Sequence, residues 1–401
     1  MIMLGLLSAC TVEEAPQAES QGIDMIDVPA VRESLSPNLA VGPDGTVALS
    51  WLELDGPESS LKFSRLSGRD WTSARSIAHG DNWFVNWADF PSVVPISATL
   101  WAAHWLVSQP AGGYAYDIAV ALSTDSGQVW SEPISPHRDG TETEHGFVTL
   151  YPNDAGVGLI WLDGRNMVNE ASDDVAASGM TLRGASLSPD LVLSSELLVD
   201  GLICDCCQTD VAITGKGPVA IYRDRTSTEI RDIYVARYIE NRWQEGTPVA
   251  SDGWNIPGCP VNGPVIDAND NTVAVAWFTA ANNVARIQVG FSNDAAASFS
   301  APIDVVSGET VGRVGLAILS DEQIAVSWIR KAPGDSAQVC IRRVSADGQL
   351  GPVTIVSGGD SVSTFSVPQM VRSGEDLILA WTRQVSGSNQ VMSARVPIVT
   401  L

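Results

Sequence analysis

The sequence predicts an all-β protein, a single β-propeller of four-stranded blades, with seven blades favoured over six. Three observations carry this. An alternating strand that ends on an aromatic residue recurs along the whole chain. Gly and Pro, 35 and 22 of 401 residues, punctuate short apolar runs, as in a turn-rich β protein. The last copy of the repeat is one strand short, and the N-terminal segment can supply it.

The recurring strand reads VALSWLE (47–53), LWAAHWLVS (100–108), VGLIWLDGR (157–165), PVAIYRDR (218–225), VAVAWFTA (273–280), IAVSWIRK (324–331) and LILAWTRQ (377–384). Its aromatic residues are Trp51, Trp105, Trp161, Tyr222, Trp277, Trp328 and Trp381, spaced 51 to 61 residues apart. That spacing is the period of a propeller blade rather than of a helical repeat. An extended run precedes each copy, a strand such as DIAVALS or IQVGFSND follows, and a fourth run opens on an aromatic or aliphatic residue. These are strands A to D. A, B and C occur seven times and D after its own C only six times. GIDMIDVPAV (22–31) supplies the missing D and closes the ring, which removes the exposed edges of an open sheet.

The net charge of −24 argues against nucleic acid and against charge-driven binding to anionic membranes. MIMLGLLSAC is apolar, and Leu7-Ser8-Ala9-Cys10 resembles a bacterial lipoprotein lipobox, with Cys10 the lipidated first residue of the mature chain. A basic stretch expected ahead of it is missing, which points to a truncated or misassigned start; the alternative is a buried N-terminal strand. Residues 11–22 read as a flexible acidic tether, and 23–401 as the propeller. No other stretch reaches the length of a membrane span. The expectation is a monomer, exported and lipid-anchored at the bacterial cell envelope, periplasmic or on the outer surface.

YDIAVALSTDSGQVWSEP (116–133) carries Ser123, Asp125, Gly127 and Trp130 in the pattern S-x-D-x-G-x-x-W. Ser and Asp side chains can bond backbone groups within the turn, Gly takes a φ > 0 position, and Trp buries a large face beneath it. This resembles the Asp-box (BNR) turn of sialidases and related propellers. Ser292, Asp294 and Phe299 form a degenerate copy without Gly, and Ser64, Gly68 and Trp71 one without Asp. GFVTL, CDCC, YRDR, EIRD and GCPVNGP also resemble bacterial exported proteins labelled sialidase-like. The resemblance implies a protein that binds carbohydrate and hydrolyses a glycosidic bond, as an exo-sialidase does. Asp-box turns lie away from the catalytic face in that family, whose propellers have six blades and hold the substrate carboxylate with three arginines. The family's F/Y-R-I-P motif is absent here, and its Tyr/Glu nucleophile pair has no matching positions.

In a propeller the D–A connections and B–C loops share one face around the central channel, and the unusual residues fall there. Arg165, Arg223, Arg225, Arg330 and Arg383 follow the B-strand aromatic, and Arg313 sits on a D–A connection. Converging guanidinium groups would clamp a carboxylate or sulfate; equally, Asp163, Asp224 and Asp232 could pair with them inside their own loops. Asp89, Asp139, Glu142, Glu144 and Glu229 are candidate acids and bases, with Asp89, Glu144 and Glu229 placed first. Trp83, Trp87 and Trp254 could stack on sugar rings or roof the channel. Cys204, Cys206 and Cys207, with Cys259 one blade later, are either disulfides, the default in an exported protein, or a metal site joined by His137 or His145. Cys340 and His104 read as core residues, and His79 as surface. The expected ligand is a small anionic molecule or a carbohydrate. The alternatives are a non-catalytic propeller that binds a ligand or protein, and a metal-binding propeller.

Overall fold

The computed structural model describes residues 22–31, 33–169, 178–332, 337–357, 362–385 and 387–401. Cys10 and nearly all of the tether lie outside them. The recurring strand is buried on both faces over most of its length: Val47–Asp55, Trp101–Ser108, Gly156–Asp163, Gly217–Arg223, Thr272–Thr279, Gln323–Lys331 and Asp376–Val385 are the seven B strands. Each is the second strand of its own antiparallel sheet, so the fold is the seven-bladed propeller expected. The B-strand aromatics Trp51, Trp161, Tyr222, Trp277, Trp328 and Trp381 are fully buried, and Trp105 nearly so. They fill the space between adjacent blades, as in the cluster that joins Trp161 to Ile118, Val120 and Leu122 of the preceding blade.

The ring closes through the N-terminus. Asp24–Ile26 pairs with the last C strand, Ser388–Pro397, with Asp24 opposite Arg395 and Ile26 opposite Ser393. The fourth strand of blade 2 is shorter than the sequence suggests, reduced to a bridge between Val120 and Ile134. The 3-10 turns Arg165–Asn169, Ala281–Asn283 and Ile398–Thr400 are short, and no helix is long and apolar enough to cross a membrane.

The seven A strands surround a central channel of ≈ 670 Å³. They are tied to one another by side chain to backbone bonds. Asp210 accepts from Ile266 N–H of the next blade at 3.0 Å, and Asp267 from Ile318 N–H of the blade after that at 2.7 Å.

Three A strands carry a β-bulge at the same end. The ladder slips between Leu35 and Asn38, between Gly146 and Thr149, and between Gly312 and Gly315. Each bulge holds a non-glycine residue at positive φ: Ser36 at 54°, Phe147 at 50° and Arg313 at 61°. Its N–H leaves the ladder for a side chain of the preceding blade, namely Thr382 Oγ1, Asp89 Oδ1 and Asn262 Oδ1, at 3.2, 2.8 and 2.9 Å. Bulges of this kind re-aim the chain at barrel rims and functional sites. All three lie at the channel mouth formed by the D–A connections and B–C loops.

Candidate functional site

The mouth holds three clusters of titratable side chains. In the first, Asp89 and Glu144 meet on one tyrosine. Tyr116 Oη lies 2.6 Å from Asp89 Oδ2 and 2.9 Å from Glu144 Oε1. Tyr116 opens the third strand of blade 2, and its ring is stacked on Phe84 at 4.0 Å and 8°. Asp89 is buried and is fixed by the bulge at Phe147, whereas Glu144 is half-buried. Gly146 makes the approach possible: a Cβ there would fall 1.9 Å from Asp89 Oδ2 and 2.7 Å from the Tyr116 ring.

Burial pushes Asp89 up to about 7, against the pull of the Tyr116 hydroxyl and Phe147 N–H. It pushes Glu144 up to about 8, with the charges of Asp89 and Asp205 adding to it. The hydroxyl has one proton and two carboxyl neighbours, so both bonds form only when one carboxyl is protonated and donates back to Oη. The raised values fit that arrangement, in which the pair shares a proton near neutral pH.

The second cluster surrounds two histidines. His137 and His145 stack at 3.8 Å with their rings 1° apart. Asp117 Oδ1 is 3.6 Å from His137 Nε2 and 3.7 Å from His145 Nδ1, and Asp139 Oδ2 is 3.2 Å from His145 Nε2. His145 is fully buried, yet neither ring nitrogen makes a hydrogen bond. Burial, and then the neighbouring His145, push His137 down to about 4. Burial would raise Asp139, but bonds from the hydroxyl and N–H of Thr141 outweigh it and hold Asp139 below the usual carboxylate range.

The third cluster is the thiols. Cys204 Sγ lies 3.4 Å from Cys207 Sγ and 3.9 Å from Cys206 Sγ, and Cys206 groups with Asp205 and Cys259. No disulfide joins cysteines among the described residues, so the bridges expected from the sequence are not present there. The sulfurs are too far apart for an S–S bond of about 2.05 Å. The histidines, expected as possible partners of the thiols, gather with Asp117, Asp139 and Asp163 instead.

The arginines do not converge into one clamp. Arg165 binds Asp163 and Glu196, with Nε 2.6 Å from Asp163 Oδ1 and Nη1 2.9 Å from Glu196 Oε1. Arg223 is buried and donates to the backbone carbonyls of Asn262, Arg231 and Phe278. Its guanidinium lies 4.9 Å above Trp254, which is itself buried against Phe278. Arg225 pairs with Glu229 at 2.6 Å. That pairing, with Arg231 behind it, holds Glu229 below the usual carboxylate range, unlike the two acids on Tyr116. Arg330 and Arg383 each donate to a glutamine, Gln338 and Gln390, at 2.7 and 2.6 Å.

Arg313 differs. It lines the channel, lies 4.6 Å above the Trp87 ring and donates from Nη1 to the Val261 carbonyl, while its Nε has no hydrogen-bond partner. Trp83 packs on Trp105, ring centroids 5.6 Å apart. His104 is buried with Nδ1 2.9 Å from Ser92 Oγ, and Cys340 is buried, both as the sequence suggests.

The sequence reading missed Tyr116 and Asp117, and took Arg231 for a partner of Asp224 or Asp232, whereas it pairs with Asp205 and Glu229. Tyr116 reads as the first apolar position of a strand, and its outward neighbour Asp117 as that strand's solvent face. The only cue was that a polar-tipped aromatic opens the strand.

The Asp-box residues sit at the opposite end of the blades. Ser123 Oγ donates to Asp125 Oδ1 at 2.7 Å and accepts from Gly127 N–H at 2.9 Å, and Asp125 accepts from the N–H groups of Gln128 and Val129. Trp130 packs edge-on to Phe63 of blade 1.

No protein-family model and no curated protein matches the chain. Solved structures do. The phage phi92 endosialidase superposes with a TM-score of 0.51 at 8% identity, covering 94% of this chain and 69% of that one. The Trypanosoma rangeli sialidase, in complex with the inhibitor DANA, gives 0.50 at 10% identity over 80% of this chain and 56% of its own length. A protein of unknown function from Dyadobacter fermentans gives 0.48 at 13% identity over 95% and 99%. At these identities the first two likenesses establish the fold alone, a β-propeller, and this chain's seven blades depart from the six of the family its sequence resembles.

Proposed function

We propose that this propeller binds a carbohydrate at the channel mouth and hydrolyses a glycosidic bond with Glu144 as general acid. The observation that carries the reading is the Tyr116 hydroxyl held between two carboxyl groups. Tyr116 Oη is 2.6 Å from Asp89 Oδ2 and 2.9 Å from Glu144 Oε1, which ties the two carboxyl groups to one shared proton. Glu144, half-exposed and titrating at about 8, keeps a proton to give to a leaving oxygen. Asp89 and Tyr116 are too buried to meet a sugar and would hold Glu144 in place and in its protonated form. The fold shared with an endosialidase and a sialidase adds support from a different direction.

Arg165, Arg223 and Arg225 are engaged by protein partners, which disfavours a three-arginine carboxylate clamp and favours a neutral sugar or an anionic one met by Arg313. The test is a panel of neutral and anionic glycosides assayed with the full chain and with Glu144→Gln. Hydrolysis should fall about 10²- to 10⁴-fold in the variant with its melting temperature preserved. An undiminished rate would remove Glu144 from the reaction, and a panel with no turnover and no binding would leave a propeller without carbohydrate function. We also propose export and anchoring through Cys10. Cys10→Ser should move the protein from the membrane to the soluble fraction, and unchanged membrane fractionation would refute the anchor.

A further inference from the structure

We propose that Cys204, Cys206, Cys207 and Cys259 bind a thiophilic d10 cation, zinc(II) or copper(I), at the channel mouth. Two D–A connections converge there: Cys204 to Cys207 precede the first strand of blade 4, and Cys259 precedes that of blade 5. The Cys204 sulfur sits 3.4 and 3.9 Å from those of Cys207 and Cys206. Thiolates at about 2.3 Å around one tetrahedral cation are separated by about 3.8 Å, so the observed spacing leaves room for an ion at the common centre. A disulfide would bring two sulfurs to about 2.05 Å, and neither of these separations approaches that. Here three sulfurs crowd together, and the fourth reaches Cys206 from the neighbouring connection.

The surroundings are those of an anionic cluster. Arg231, buried, donates to Cys204 Sγ at 3.2 Å and is held by Asp205 and Glu229 at 2.9 Å each. Cys204 N–H donates to the backbone carbonyl of Arg223 at 3.0 Å, so a second buried arginine adjoins the cluster. Buried guanidinium groups facing neutral thiols would gain little. Facing a metal–thiolate cluster, they offset the surplus negative charge that three or four thiolates leave on a mono- or divalent ion. Binding forms the metal–sulfur bonds, breaks the matching S–H bonds and releases one proton to solvent per thiol. Cys204 and Cys207 are buried while Cys259 is exposed, so the site is open on one side and the ion can enter the folded chain.

The experiment uses the full chain, purified reduced and without oxygen, titrated separately with zinc(II) and copper(I) against a chromophoric chelator and weighed by native mass spectrometry. One ion per chain for either metal, with the thiol protons lost, is the expected result. Cys259→Ser, an exposed change that spares the core, and Cys207→Ser should each weaken binding at least about 10- to 100-fold. Arg231→Met should weaken it about tenfold, and Cys340→Ala should leave it unchanged. A chain that holds neither metal, or that holds it equally well in both serine variants, overturns the proposal. So does a mass showing that the reduced thiols re-form disulfides in preference to taking up metal. Glycoside turnover is a separate readout, so loss of either site is told apart from loss of the other.

Discussion

One strand of blade 2, Tyr116–Ser123, ends in two opposite kinds of chemistry. At Ser123 the Asp-box turn is self-contained: the serine hydroxyl and the Asp125 carboxylate satisfy each other and three backbone N–H groups near the surface. At Tyr116 two carboxyl groups press on one hydroxyl, and the buried ring nitrogens of His145 nearby have no hydrogen bond. Blade 5 repeats the first arrangement with Ser292 and Asp294, and has no counterpart of the second. In both turns the serine hydroxyl and the aspartate carboxylate are matched within the turn. The mouth leaves the His145 ring nitrogens unmatched, pushes the Asp89 and Glu144 carboxyls up where the turns hold theirs down, and is held by strained bulges. That is the condition of a site awaiting a ligand, and it costs stability.

The contrast is broken most severely at Gly146. Alanine there would drive its Cβ into Asp89 and Tyr116, so Gly146→Ala should destabilise by on the order of 4 kcal/mol through loss of a buried network. Urea denaturation measures it. A loss below about 1 kcal/mol would mean the trio yields easily and is not preorganised.

The pH dependence of stability sharpens the comparison further. Between about 4 and 7 the folded state keeps a proton on Asp89 that the unfolded chain has released, so this residue makes stability fall as pH rises. Glu144 acts in the same direction up to about 8. His137 acts oppositely: between about 6.5 and 4 the unfolded chain takes up a proton that the buried ring refuses, so stability rises with pH across that window. Asp89→Asn should therefore make the slope between pH 4 and 7 more positive, and His137→Asn more negative, each by on the order of 3 kcal/mol over the window. Denaturation midpoints at several pH values decide this. Slopes that move together in the two variants would contradict the opposed roles.

The fold was readable because its cause is local and repeated. Alternation such as VALSWLE needs one face buried on each side, the aromatic residue marks the same place in every blade, and a strand deficit at Leu401 has a matching surplus at residues 22–31. The mouth was readable only in part. Clustered Cys, His and Arg marked the right connections, and Asp163 beside Arg165 announced its own ion pair. The rest depends on contacts between blades. Nothing in GFVTL announces that Phe147 takes a positive φ and turns its N–H to Asp89, because Phe has no preference for that conformation. Arg223 reads as either a clamp residue or a partner of Asp224 and Asp232, yet it is consumed by carbonyls from three separate segments. Tyr116 becomes a site residue only through two acids that lie 27 and 28 residues away in the chain.

The mildest prediction tests the quiet end of the comparison. Gly127 has φ of 78°, and a Cβ on it would meet the Phe63 ring at 2.7 Å. In blade 5 the same turn position is Ala296, buried with φ of 59° and donating its N–H to Ser292 Oγ at 3.0 Å. The alanine keeps the hydrogen bonds of the turn while carrying left-handed strain that glycine would not. Gly127→Ala should cost about 2 kcal/mol, from strain plus the clash. Ala296→Gly should be neutral to stabilising by up to about 1 kcal/mol, since relief of strain is partly offset by the freedom glycine gains when unfolded. Thermal melts of the two variants check the pair. Changes of equal size and opposite sign would make φ the whole cause. A large loss from Gly127→Ala beside a small gain from Ala296→Gly would assign the difference to Phe63 of the neighbouring blade, and with it show that this turn serves the contact between blades rather than the chemistry at the far end of its strand.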